Sequence, residues 1–366
     1  MNADPQSRMV DWEFAAQTAR ALMRPGPEIS ATQAADVVAE LRDGAAQSEQ
    51  PVRDYTGLHA RSATAPVVVV DRAGWIQANI EGFETVMQPL VDKITDAKKR
   101  KGPPPKMVRA VGSKVSGAEV GALLAFMSGK VLGQFDPFWD GDGSASPADQ
   151  PTTGRMLLVA PNIVAIERDL DVDSRDFRLW VCLHEETHRV QFTAVPWMRD
   201  HMHELIDDFV GATDLDPEGI SKMLGDGAAQ IGKMLRGDPD VSLMDLMQNP
   251  AQREVVDKLT GVMSLLEGHA DVVMDGVGPS VIPSVDKIRK RFNQRRKGAG
   301  GLDQLLRRLL GLDAKMKQYR DGAAFVRTVT DKVGHDGFNA VWTSAEQLPS
   351  KTEITDPDSW VARVHG

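Results

Sequence analysis

His184-Glu185-Glu186-Thr187-His188 sets two imidazoles four residues apart, with a carboxylate directly after the first. On an α-helix, residues i and i+4 stand one above the other on one face, so both rings can reach a single metal ion about 2 Å from each nitrogen. Glu185 lies about 100° round the helix, placed to work on water at the metal rather than to bind the metal itself. The chemistry this trio suits is hydrolysis: imidazoles hold the ion and a carboxylate takes a proton from the attacking water.

The spacing works only on a helix, and the flanking residues predict one over 174–193. Asp173 or Ser174 can cap its start, Asp176 sits in the first turn where a carboxylate suits the dipole, and Pro196 ends the run. Phe177, Trp180, Val181 and Leu183 are its expected buried residues. A third protein ligand is still needed. A metzincin continuation requires Gly at 191 and His at 194, but Gln191 and Ala194 stand there. Glu267-Gly268-His269-Ala270-Asp271 is the better source, inside a segment that opens with Asn249-Pro250 and carries an apolar stripe at Val255, Leu259, Val262, Leu266, Ala270 and Val273. Glu267 and Asp271 are again i and i+4, so one can ligate zinc while the other accepts a hydrogen bond from the far nitrogen of a ligating histidine. His269 points some 200° away from Glu267 and is placed to meet substrate instead.

Together these phrases, with Arg189-Val190-Gln191-Phe192 and Ala194-Val195-Pro196-Trp197 after the histidines, resemble the zincin-like metallopeptidases of actinobacteria, often labelled deazaflavin-coenzyme biosynthesis-associated. The resemblance runs nearly the full length, through Val10-Asp11-Trp12, Thr56-Gly57-Leu58, Val70-Asp71-Arg72-Ala73-Gly74-Trp75, Pro161-Asn162, Gln318-Tyr319 and Leu348-Pro349. It implies a gluzincin-like site with His184, His188 and Glu267 as zinc ligands and Glu185 as general base. It implies no particular substrate.

The reaction expected of such a site is amide hydrolysis, with Glu185 taking the proton from water and passing it to the leaving amine. Charge developing on the carbonyl oxygen calls for a donor. Tyr55 and Tyr319 are the only tyrosines, and Tyr319, in one turn with Lys315, Gln318 and Arg320, is the first candidate, His269 the second. Met156–Ala160 and Ile163–Ile166 read as strands, either an edge to which an extended peptide can add or buried structural strands. The substrate is then a peptide or a small amide. Two alternative classes are a zinc hydrolase of a small non-peptide amide and a zinc-binding protein without catalysis. Keeping Glu185 argues against the last, since a structural site needs no base beside an open position. Other divalent metals compete for the same donors.

The chain of 366 residues is 42% hydrophobic, enough for a large core. A net charge of −9 argues against general nucleic-acid binding. One basic island, Lys287 to Lys297, reads as a solvated helix end. Cys182, the single cysteine, excludes an intrachain disulfide and is expected in the core, away from the metal face. The first 24 residues lack the apolar stretch of a signal peptide, and the cytoplasm is the expected location. Ser113 to Phe135 is the most apolar long segment, but Glu119 and Lys130 interrupt it. It reads as a buried helix packed closely through Gly117, Gly121, Gly129 and Gly133, not as a membrane span. Asp140-Gly141-Asp142-Gly143-Ser144 lacks the glycine and glutamate of a calcium loop and reads as a mobile loop.

The fold class expected is mainly α with a small β-sheet around a zincin-like core. Helices are predicted near 10–23, 31–48, 72–96, 113–134, 174–193, 197–211, 217–236, 250–276, 302–329 and 331–343, with breaks at 98–106, 137–154 and 276–283. The division expected is an N-terminal helical region, 1–150, and a catalytic region, 151–366, whose C-terminal helices close over the site; the alternative is one compact unit, since no long polar linker separates the two.

Overall fold

The computed structural model describes residues 10–60, 65–88, 106–141, 154–212, 250–297 and 312–366. Among them the fold is mainly helical with one three-stranded sheet, as the sequence predicts. The chain divides into two compact units, Met1–Ala194 with Val273–Phe292, and Val195–Val272 with Asn293–Gly366. The predicted helix at 217–236 lies outside the described residues, as do nearly all of the break at 98–106 and the loop beyond Gly141.

In the first unit, strand β1 (Val67–Val70) runs parallel to β3 (Arg155–Val159), and β2 (Gly133–Asp136) pairs with β3 on its other side, antiparallel. Side chains alternate across the central strand. Leu157 and Val159 point into a core with Trp12, Ala16, Ala19, Trp75, Ile76, Leu124 and Ala125, drawn from helices α1 (Trp12–Leu22), α3 (Arg72–Val86) and α4 (Lys106–Ser128). Glycine lets α4 approach α1 closely. A Cβ at Gly117 would meet the Asp11 carbonyl oxygen at 2.7 Å, and one at Gly121 the Ala15 oxygen at 2.6 Å. The glycine seam is therefore as expected, but the helix stops at Ser128 and Gly133 begins a strand. Among the described residues no helix is long and apolar enough to cross a membrane.

Met156 and Leu158 point to the opposite face, and all four of these side chains are buried. Helix α2 (Ala31–Thr56), capped by a reciprocal Ser30–Gln33 box, packs there along α6 (Ser174–Thr193). Between β3 and α6 runs α5 (Ala160–Leu170). Here the expectation of a second strand at Ile163–Ile166 is overturned. Pro161 occupies the first turn, where its missing N–H costs nothing, and burial falls on Ile163, Val164, Glu167 and Leu170, a helical period.

In the second unit, α7 (Pro196–Gly211), the part of α8 (Pro250–Val281) up to Val272, and α10 (Leu312–Phe338) carry the long apolar faces, with α9 (Val285–Lys297) split between the units. Gly268 of α8 meets Gly322 of α10. A Cβ at Gly268 would lie 2.1 Å from the Gly322 carbonyl carbon. Gly334, at φ +74°, kinks α10 within the predicted 331–343 helix, which gives way at Asn339 to a 3-10 turn. Helices α11 (Lys351–Thr355) and α12 (Pro357–His365) close this unit over Trp360, whose indole N–H donates to the Gln347 carbonyl at 2.8 Å.

The predicted break at 276–283 falls later than expected, since α8 continues through Gly276 to Val281 and the chain leaves the helix only between there and Val285. Gly276 serves packing, because a Cβ there would sit 2.1 Å from the Tyr55 ring. Pro279 lies in the last turn, with only Ser280 and Val281 after it in the helix. Helix α9 buries Ile288 and exposes Lys287, Lys290, Arg291 and Arg295, while Arg289 pairs with Asp275, so the basic island is a solvated helix face.

Candidate metal centre

Helix α6 begins and ends where capping chemistry places it. The Asp173 carboxylate accepts from the Asp176 N–H at 2.9 Å, and the last helical residue is Thr193, before Pro196 starts α7. Its buried face holds Phe177, Val181, Cys182 and Leu183, while Trp180 is half-buried, stacked on Phe177 and meeting the Phe292 ring at a tilt. Two ion-pair groups fix its azimuth. Near the start, Arg178 forks onto Glu167 at 2.6 and 3.0 Å and reaches Glu40 at 2.6 Å. One turn past the middle, Arg189 donates to the Ala65 carbonyl at 3.1 Å and to Glu49 at 3.3 Å. Between them Cys182 is wholly buried, its thiol donating to the Leu41 carbonyl at 3.5 Å, and burial pushes its pKa far above the ordinary thiol range. The sequence expectation of a core thiol is met.

With the helix so held, the rings of His184 and His188 stand on one face, centroids 4.8 Å apart and planes at 89°. Their Nε2 atoms face each other at 3.3 Å. Two nitrogens each 2.0–2.1 Å from one tetrahedral zinc are about 3.3–3.4 Å apart, so the two imidazoles already have the separation such an ion requires. His184, His188 and Glu267 can each offer one ligand atom, and these atoms all lie within 4.8 Å of one another. Two imidazoles and a carboxylate are the donor set of a catalytic zinc, three protein ligands with a position left for water. The residues fit the ion.

Glu185 is buried against the sheet. A Cβ built on Gly133 would lie 2.4 Å from its Cγ, 2.6 Å from its Cδ and 2.7 Å from Oε1, so the carboxylate occupies the space that any side chain at 133 would take. Gly133 was read from the sequence only as a helix-packing glycine. Among the described residues its strand is also an edge of the sheet. Val159 N–H donates to the Leu132 carbonyl at 2.8 Å, and in an antiparallel ladder hydrogen-bonded pairs alternate with non-bonded ones. The Gly133 N–H and C=O therefore turn away from β3, outward along the β2 edge. β3 itself is paired on both sides, so it is a buried structural strand and not a free edge for a peptide.

The neighbouring Glu186 faces inward and is fully buried. Its carboxylate lies 2.7 Å from the Arg189 guanidinium. Burial pushes its pKa up to about 7, against the pull of Arg189. It belongs to the helix anchor, not to the metal face.

The other predicted residues are placed as follows. Asp271 is half-exposed, with its carboxylate 3.2 Å from Arg327. His269 is buried between Phe338 and Trp342, ring centroids 5.4 and 5.2 Å away. Tyr319 is in α10 and its side chain lies outside the described residues. Gln191, noted in the sequence only for excluding a metzincin, is fully buried with its Oε1 2.9 Å from Nδ1 of His188. Its position three residues after the second histidine, on the same helix face, was the available signal.

Compared with known proteins, residues 10–361 match the zincin-like metallopeptidase family. A solved structure from Chloroflexus aurantiacus, described as "a putative hydrolase with a novel fold", is similar at 30% identity and a TM-score of 0.67, over 97% of this chain and 98% of the other. No curated protein matches the chain.

Proposed function

Since this chain belongs to the zincin-like metallopeptidase family, we propose that it is a zinc-dependent hydrolase that cleaves a peptide amide bond, with His184, His188 and Glu267 as metal ligands and Glu185 as general base. The observation that carries this reading is the facing pair of imidazole nitrogens at 3.3 Å, with a Glu267 oxygen within reach of both. Zinc bound there supplies a Lewis acid that polarises a carbonyl and acidifies water. Glu185 does the proton work: held against Gly133, its carboxylate takes a proton from the attacking water and returns it to the departing amine. The outward N–H and C=O of Gly133 orient the substrate by pairing with its main chain as an added strand. That support for extended backbone favours a peptide over a small compact amide.

The test is metal analysis of the purified chain beside His188→Ala and Glu267→Ala, followed by a peptide library screened with Glu185→Gln as control. The expected result is about one zinc per chain, lost in both ligand variants, with cleavage by the parent and none by Glu185→Gln. A parent that binds no zinc when supplied with it overturns the reading. Zinc binding with cleavage of simple amides but no peptide moves the substrate to the small-amide class.

A further inference from the structure

We infer that Gln191 is a positioning residue for the metal helix: its amide oxygen holds the proton of His188 on Nδ1 and so keeps the Nε2 lone pair turned toward His184. The inference rests on the reading of His184 and His188 as ligands and adds what selects the ligating form of the second. The Oε1 to Nδ1 distance of 2.9 Å is that of a good hydrogen bond. A carbonyl oxygen only accepts, so the ring nitrogen opposite it must carry the hydrogen. In neutral imidazole the other nitrogen is then bare, and a bare nitrogen is what a metal ligand needs. With the amide reversed, its NH2 would donate to Nδ1 and force the hydrogen onto Nε2, where it would point at His184 3.3 Å away and close the site.

Two features make the arrangement selective. Gln191 is fully buried, so water does not compete for its amide oxygen. It also lies on the same rigid helix as the histidine it serves, three residues on, so the contact needs no long-range fit. This placement resembles that of partners which commonly orient ligating histidines and fix their tautomer. Here the helix carries both its ligand pair and the group that sets the protonation of one of them.

The test uses the full chain with zinc as the probe. Gln191→Leu puts an apolar side chain of similar bulk in place of the amide and removes the acceptor, while Gln191→Glu keeps an acceptor oxygen and removes the donor. The expected result is a 10–100-fold loss of zinc affinity in Gln191→Leu, with Gln191→Glu at the parent's affinity or tighter. Nitrogen-15 NMR of the metal-free parent and Gln191→Leu reads the tautomer directly. The hydrogen is expected on Nδ1 of His188 in the parent and no longer confined there in the variant. Should the parent bind no zinc, the ligand reading fails, and the tautomer measurement still decides this inference. Parent-like zinc affinity in Gln191→Leu, or a parent His188 carrying its hydrogen on Nε2, overturns it, as does Gln191→Glu losing as much affinity as Gln191→Leu in a folded chain.

Discussion

Gly133→Ala tests whether the position of the general base is set by the strand beneath it. The new methyl carbon would begin 2.4 Å from Cγ of Glu185 and 2.6 Å from Cδ, where carbon atoms rest at about 3.5–4.0 Å. Something must move by about 1 Å. The β2 backbone is tied to β3 and moves least, whereas the Glu185 carboxylate sits at the end of a side chain with rotatable torsions, so the carboxylate yields. A misplacement of about 1 Å in a catalytic group costs on the order of 100-fold in rate. Stability should move the other way or not at all: Gly133 has no left-handed backbone angle, so alanine there brings no backbone strain and loses less chain entropy on folding than glycine. The assay is kcat on a peptide the parent cleaves, with zinc content and thermal midpoint on the same preparations. The expected pattern is about a 100-fold lower kcat, parent-like zinc and an unchanged or higher midpoint. Parent-like kcat in Gly133→Ala would refute the reasoning, because it would mean that the carboxylate does its work elsewhere than against Gly133.

Two further outcomes follow from packing and charge. Gly268→Ala drives a methyl into backbone atoms of Gly322 at 2.1 Å, with no flexible side chain to yield, and should lower unfolding free energy by about 1–3 kcal/mol; a parent-like urea midpoint would show that α8 and α10 can separate freely. Glu186, with a folded pKa of about 7 against an ordinary 4.5, is a raised carboxyl. Its ionisation opposes folding, so the chain loses stability as pH rises from about 4.5 through 7, by about 3 kcal/mol in total. Glu186→Gln should flatten urea-derived stability between pH 5 and 8 relative to the parent, and parallel profiles would contradict the assignment.

The metal helix was legible in the residues because its determinants are local. Asp173 caps it, the apolar run from Phe177 to Leu183 gives it a buried side, and i, i+4 spacing alone puts two imidazoles on one face. The same is true of the glycine seam at Gly117 and Gly121, where small residues at four-residue spacing state that something approaches closely. They do not state what does. Ile163–Ile166 shows the limit: a short apolar run satisfies a buried strand and a buried helix alike, and Pro161 decided it as the first turn of a helix. Gly276 and Pro279 resemble a break because the Tyr55 ring that fills the space beside Gly276 comes from a helix more than 200 positions earlier.

Local spacing thus determined which residues could share a helix face and which donor types they bring. The tertiary structure decided the identity of the edge strand and the seating of Glu185 on Gly133. These depend on which atoms from distant segments fill the same small volume, and periodicity along one segment carries no record of that.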